Sequence, residues 1–150
     1  MSRIKRQFDL IFSLVGISLF LPVGALIALI IKIEDGGPIF YVQERVGQGA
    51  RDFKMIKFRT MIRDADKIGS AITIGNDSRI TRVGRWLRRF KLDEFPQLFN
   101  VLKGEMSFVG PRPEVPKYVM LYNDTEREVI NLVPGITDPA SIIYRNENEI

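Results

Sequence analysis

The chain has 150 residues, with 22 Lys and Arg against 18 Asp and Glu and a net charge of +4, a length that suits one domain. Hydrophobic residues make up 45% and charged residues 27%, a globular rather than disordered balance. Cysteine and histidine are both absent, which excludes disulfides, thiolate zinc sites, cysteine nucleophiles and histidine general bases. Chemistry is left to carboxylates, Lys, Arg, Ser, Thr, Tyr or a metal held by oxygen.

The charge excess is uneven. Residues 1–33 hold Arg3, Lys5, Arg6 and Lys32 against Asp9, and the remainder is nearly balanced. Between Asp9 and Lys32, the stretch Leu10 to Ile31 carries no charge. As a helix it is about 33 Å long, close to the thickness of a bilayer core. A single spanning anchor is one reading; a cleaved signal peptide fits less well, because the apolar run exceeds the usual h-region. Pro22 lies mid-run with Gly16 and Gly24 nearby, so a kink is predicted, with Ser18 one turn earlier placed to satisfy a freed carbonyl. Both flanks are basic, which favours the cytoplasmic side for each end. A helix bent at Pro22 that enters and leaves through one leaflet satisfies both.

Gly36-Gly37-Pro38 marks the end of this segment. Ile39 to Gln43 and Phe53 to Phe58 read as strands joined through Gly47-Gln48-Gly49, a hairpin. Thr60 to Ile68 reads as helical. Asp77 or Ser78 is the expected cap of a helix whose apolar stripe is Ile80, Val83, Leu87 and Phe90. Arg79, Arg82, Arg85, Arg88, Arg89 and Lys91 crowd its other faces, with Trp86 beside the stripe, a pattern suited to a membrane surface, to an ordinary solvated face or to nucleic acid. Leu92 to Pro96 opens another helix with Asp93 and Glu94 at its N-terminal end; Phe95, Leu98, Phe99 and Leu102 form its expected buried face and Gly104 ends it. Glu114 to Tyr122 and Thr125 to Leu132 read as helices, and Pro134-Gly135 as a turn.

Adjacent carboxylates at a helix start are usually a cap. Here they are surrounded by Arg82, Arg85, Arg88 and Arg89 on one side in sequence and by Arg112, bracketed by Pro111 and Pro113, on the other. Proline on both sides stiffens the backbone that carries Arg112, which suits a fixed anion contact or a structural ion pair with Glu114 or Glu105. Lys57 and Arg59 add two phosphate ligands. Carboxylates among cations suit phosphoryl chemistry: an ionised Asp can attack phosphorus, its charge favoured by the helix start and the arginines, and a neighbouring Glu can hold magnesium.

The stretch LDEFPQLFNVLKGEMSFVGPRPE (92–114) resembles the core of the bacterial monotopic phosphoglycosyl transferases, the bacterial sugar transferases. KRQFDLIFSLVG (5–16), GPIFYVQERVG (37–47), FKMIKFRTM (53–61), RITRVGRWLRR (79–89) and VPGIT (133–137) match in the same order. The resemblance implies transfer of a sugar phosphate from a UDP-sugar to polyprenyl phosphate with release of UMP, by a ping-pong route that uses Mg2+. It casts Asp93 as nucleophile and Glu94 as magnesium-binding partner, Arg112 as the phosphate-binding arginine, and Lys57, Arg59 and Arg88 as basic residues lining the site. Pro134, Gly135 and Thr137 fall near the nucleotide, and Pro22 at the break of a re-entrant helix. The implied fold is α+β, with a proline-kinked re-entrant membrane helix (1–33), then a catalytic domain (34–150) of a small β-hairpin and several amphipathic helices at the membrane surface. The implied place is the cytoplasmic face of the bacterial inner membrane, with no nucleic acid as partner and homodimer formation left open.

The chain departs from the family pattern in three places. Leu21 rather than the serine frequent in the family precedes Pro22, Asp138-Pro139-Ala140 stands where a glycine-containing continuation is more frequent, and the sequence ends at Ile150 where the resemblance leads us to expect several more helical turns. The competing reading is a non-catalytic adaptor that binds anionic lipid or nucleic acid through its basic helix.

Overall fold

The computed structural model describes residues 2–68 and 77–138. Helix α1 (Arg3–Asp35) opens with Ser2 accepting a hydrogen bond from the Lys5 N–H and closes at Gly36, whose left-handed φ of 68° suits a residue without a side chain. Pro22 lies inside one continuous helical element. Ser18 was expected to satisfy the carbonyl freed by this proline; its hydroxyl instead donates to the Leu14 carbonyl at 2.9 Å, a bond within its own helical turn. Most of α1 is exposed and apolar, and among the described helices it is the one long and apolar enough to cross a membrane. Its low burial fits peripheral, monotopic membrane association.

One stripe of α1 docks along the rest of the chain. Strands β1 (Phe40–Val46) and β2 (Asp52–Phe58) form the expected antiparallel hairpin, paired from Phe40↔Phe58 to Val46↔Asp52. Ile27 and Ile31 of α1 pack with Phe58 of β2 and Leu87 of α3 (Arg82–Arg89). A second core joins Phe53 and Met55 of β2 to Val101 of α4 (Gln97–Lys103) and to Met106. Arg6 donates to the Val101 and Leu102 carbonyls at 2.6 and 2.7 Å, tying the start of α1 to the C-terminal end of α4. Asp9 is buried and accepts from Ser107 and the Phe108 N–H, fastening α1 to β3 (Ser107–Val109). At the other end Glu34 accepts from the Val83 N–H, and Asp35 holds Arg59 with both carboxylate oxygens.

Several local expectations change. Helix α2 covers Ala65–Ile68 alone, because Thr60 to Ile62 run extended: Met61 bridges Ile80, the Thr60 carbonyl accepts from Thr81, and the Ile62 N–H donates to Arg79. The cap of α3 is Thr81, which accepts from the Gly84 N–H; Asp77 is taken by Arg79. Leu87 of the predicted stripe is fully buried, whereas Phe90 faces out beside Trp86 with ring centroids 5.2 Å apart. Arg82, Arg85 and Arg89 share that exposed surface. In α4 the buried set is Gln97, Leu98, Asn100 and Val101, and Phe99 is exposed. The C-terminal helices shorten to α5 (Pro116–Val119) and α6 (Asp124–Arg127), the latter started by a reciprocal Asn123–Glu126 cap and continued as a 3-10 turn over Glu128–Asn131. Pro134-Gly135 leads into β4 (Gly135–Thr137), which pairs in parallel with β3. Pro139 and Ala140 lie outside the described residues.

Candidate active site

Asp93 and Glu94 sit on a 3-10 turn, Leu92–Glu94, between α3 and α4. Lys91, with a left-handed φ of 56°, reverses the chain into that turn. Pro96 follows at the entry to α4, where a missing N–H costs nothing. Phe95 stacks on Phe20 of α1, rings 3.7 Å apart and 9° from parallel. The dyad is therefore fixed between the apolar helix and β2.

Lys57 reaches it from β2, its Nζ 3.5 Å from Glu94 Oε1. Arg112 donates from Nη2 to the same oxygen at 2.7 Å. This contact replaces the ion pair with Glu114 or Glu105 that the sequence left open. Asp93 is buried, and its Oδ1 has no hydrogen-bond partner among the described residues. Burial, then the neighbouring Glu94 charge, push the Asp93 carboxyl above its ordinary value, against the pull of Lys57 and Arg88. This overturns the expectation that helix start and arginines hold it low: α4 begins only at Gln97, after the dyad. Burial also acts to raise Glu94, but Arg112 and Lys57 outweigh it and leave that carboxyl below its usual range. Lys57 and Arg88 are both lowered, mainly by burial.

The other expected site residues fall into different places. Arg88 feels the Asp93 charge while its Nε donates to Thr60 Oγ1 at 2.8 Å. Arg59 is held on Asp35 at the end of α1, packed so closely beneath Gly37 that a Cβ there would lie 2.6 Å from Nη1. Its guanidinium is thus committed to a structural pair and does not line the dyad as expected. Pro134, Gly135 and Thr137 brace the Arg112 loop: the Ser107 N–H donates to the Pro134 carbonyl, Gly135 to Pro111 and Gly110 to Thr137. Gly110 and Gly135 touch back to back, and a Cβ on Gly135 would stand 2.1 Å from the Gly110 nitrogen.

Two contributors escaped the sequence reading. Arg45 on β1 donates to the Pro113 carbonyl at 2.9 Å and steadies the loop from its far side. Asn100, fully buried, accepts from the Ile56 N–H and donates to the Lys54 carbonyl, so its amide closes the free edge of β2 next to Lys57. A polar residue between Phe99 and Val101 was the available signal. Beside Arg112 an open cleft is lined by Pro111, Pro113, Val119, Tyr122, Ile130 and Pro134.

Among the described residues no group of three or more acidic, His or Cys side chains could hold a metal. Mg2+ commonly takes one or two carboxylates and completes its shell with substrate phosphates and water. The unpartnered Asp93 oxygen and the adjacent Glu94 fit that partial role.

Paired carboxylates with Lys57 and Arg112 on Glu94, and Arg88 acting on Asp93, lie beside an exposed apolar helix that fits membrane association. The profile of the family described as "Bacterial sugar transferase" matches residues 1–150, and the chain belongs to that family. A protein of Bacillus subtilis (strain 168), named for undecaprenyl-phosphate N-acetylgalactosaminyl 1-phosphate transfer, is 45% identical over 89% of this chain and 71% of its own length. A UDP-N-acetylgalactosamine-undecaprenyl-phosphate N-acetylgalactosaminephosphotransferase of Aeromonas hydrophila is 40% identical over 94% of this chain and 34% of its own. An undecaprenyl-phosphate glucose phosphotransferase of Komagataeibacter xylinus is 43% identical over 92% and 27%. The chain thus spans about a third or less of the latter two relatives.

Proposed function

We propose that the chain transfers a sugar phosphate from a UDP-sugar to polyprenyl phosphate and releases UMP, with Asp93 as the nucleophile. In the first half, an Asp93 carboxylate oxygen bonds to the sugar-bearing phosphorus as its bond to the bridging oxygen breaks, and UMP leaves with that oxygen. In the second, a phosphate oxygen of the lipid bonds to the same phosphorus and the Asp93–phosphorus bond breaks, restoring the carboxylate. Arg112, Lys57 and Arg88 hold the diphosphate and balance its charge. The cleft beside Arg112 offers the nucleotide a place next to that arginine. Asp93 and Glu94 are the residues that would hold Mg2+, which would supply charge neutralisation on the phosphates.

The observation that carries this reading is the buried, unpartnered Asp93 oxygen set among cations and bonded to none of them. Relatives named for undecaprenyl phosphate and for different sugars support the acceptor class and leave the sugar open. Cations at both ends of the apolar run, Arg3, Lys5 and Arg6 before it and Lys32 after it, support a re-entrant course bent at Pro22, with both ends at the cytoplasmic face of a bacterial inner membrane. Mixing detergent-solubilised protein with UDP-N-acetylgalactosamine, Mg2+ and undecaprenyl phosphate tests the reaction. UMP release is expected from the native chain and not from Asp93→Asn; native-like turnover in that variant rejects Asp93 as nucleophile.

A further inference from the structure

The charges around the dyad describe a site that does not favour a free divalent cation. Glu94 Oε1 is already shared between Arg112 at 2.7 Å and Lys57 at 3.5 Å. Arg88 acts on Asp93, and Lys91 and Arg45 act on Glu94. Farther out, Glu114 acts on Arg45 and Asp138 on Arg112. Together Lys57, Arg88, Lys91, Arg45 and Arg112 face Asp93, Glu94, Glu114 and Asp138, leaving the neighbourhood positive by one charge. Such a surrounding repels a divalent cation and attracts a diphosphate.

The donor set agrees. Two adjacent carboxylates, one of them occupied by guanidinium and ammonium, supply too few oxygens for an ion that prefers six. A bound diphosphate would add negative charge and oxygens, and would give Arg112 a second anion to pair with. Arg112 is the more accessible partner of the pair, its side chain about half exposed (47%), whereas Glu94 is 13% exposed.

We infer that Arg112 and Lys57 act as an electrostatic latch on Glu94, so that the divalent cation joins the dyad together with the diphosphate donor and not before it. The inference rests on the proposed donor chemistry and adds an order of assembly to it. It also gives Arg112 two successive partners, Glu94 in the free site and phosphate in the loaded one.

Mn2+ is a suitable probe, being a hard cation that accepts the same oxygen ligands. Free Mn2+ is followed by electron paramagnetic resonance while it is titrated with the detergent-solubilised full chain, alone or with UDP. Protein-free UDP and Glu94→Gln with UDP serve as references for Mn2+ bound by the nucleotide itself. The native chain alone is expected to bind Mn2+ weakly, and the chain with UDP about tenfold more tightly or better than either reference. Arg112→Gln alone, with one repelling charge removed from an exposed position, is expected to bind Mn2+ about tenfold more tightly than the native chain alone. Equal Mn2+ affinity of the native chain with and without UDP, or no gain in Arg112→Gln, overturns the latch. UMP release by the native chain, measured on the same preparation, separates the two failures: retained turnover with an overturned latch leaves the transferase reading standing.

Discussion

A buried carboxylate beside a second carboxylate, with one oxygen lacking a hydrogen bond, opposes folding in its charged form. Asp93 is in that position. Its folded pKa lies above the ordinary 3.8, so the folded chain holds that proton more tightly than the unfolded chain does. Stability is therefore lost as pH rises from about the ordinary value through the raised one. Asp93→Asn, which cannot ionise, is expected to melt at a higher temperature than the native chain at neutral pH while losing transfer. Thermal melts of both in the same detergent check this. Asp77 works in the opposite sense. Hydrogen bonds from Arg79 lower its pKa from 3.8 to about 2, so its contribution is complete above the ordinary value and disappears as pH falls toward 2. Melting temperature should fall less steeply with acidification over that window in Asp77→Asn than in the native chain.

At the scale of elements, the site is a set of braces on two short segments, the Leu92–Glu94 turn and the Arg112 loop. Gly135→Ala cannot be accommodated without separating Gly110 from β4, and Arg112 lies two residues farther along. UMP release should fall tenfold or more, because small displacements of a phosphate ligand are costly. If the effect runs through Arg112, Gly135→Ala should cause little further loss in an Arg112→Ala background. Asn100→Leu should cost about 1–3 kcal/mol, since it removes the partner of the part-buried Ile56 N–H and Lys54 carbonyl; chemical unfolding of the two chains measures it. These braces also mark the limit of what the sequence made legible. The hairpin, α3 and the closeness of Arg112 to the dyad followed from alternation, helical spacing and motif order. The loss of the Thr60–Ile68 helix did not, because its first residues pair with Arg79 to Thr81, a contact that local propensity does not encode. Arg59 misled for a similar reason: Asp35, the acid that claims it, lies in a different element. The parallel β3–β4 ladder was hidden because three-residue strands carry too little periodicity.

Across the whole molecule, α1 is both the apolar surface and a wall of the folded body. Lys5, Arg6 and Asp9 bind residues of α4 and β3, while Glu34 and Asp35 bind Val83 and Arg59. A bilayer cannot lie between the two ends of a helix whose ends are fastened to one body. Single cysteines at Arg3 and Pro38, both exposed, should therefore react with a membrane-impermeant reagent from the same side. The absence of native cysteine gives the labelling no background. Opposite-side labelling would mean a spanning helix. The stack of Phe20 on Phe95 then places the dyad beside the apolar helix, where the water-soluble donor and the lipid acceptor of the proposed reaction would meet.

The proposed transfer depends most on a bond between Asp93 and phosphorus. Intact mass spectrometry of the native chain, incubated with UDP-N-acetylgalactosamine and Mg2+ but no lipid acceptor, examines that bond directly. A mass increase of one sugar phosphate, mapped to Asp93, absent from Asp93→Asn and removed by undecaprenyl phosphate, is the predicted result. An unmodified native chain that nevertheless releases UMP once the lipid is added, or an adduct that persists in Asp93→Asn, would contradict it.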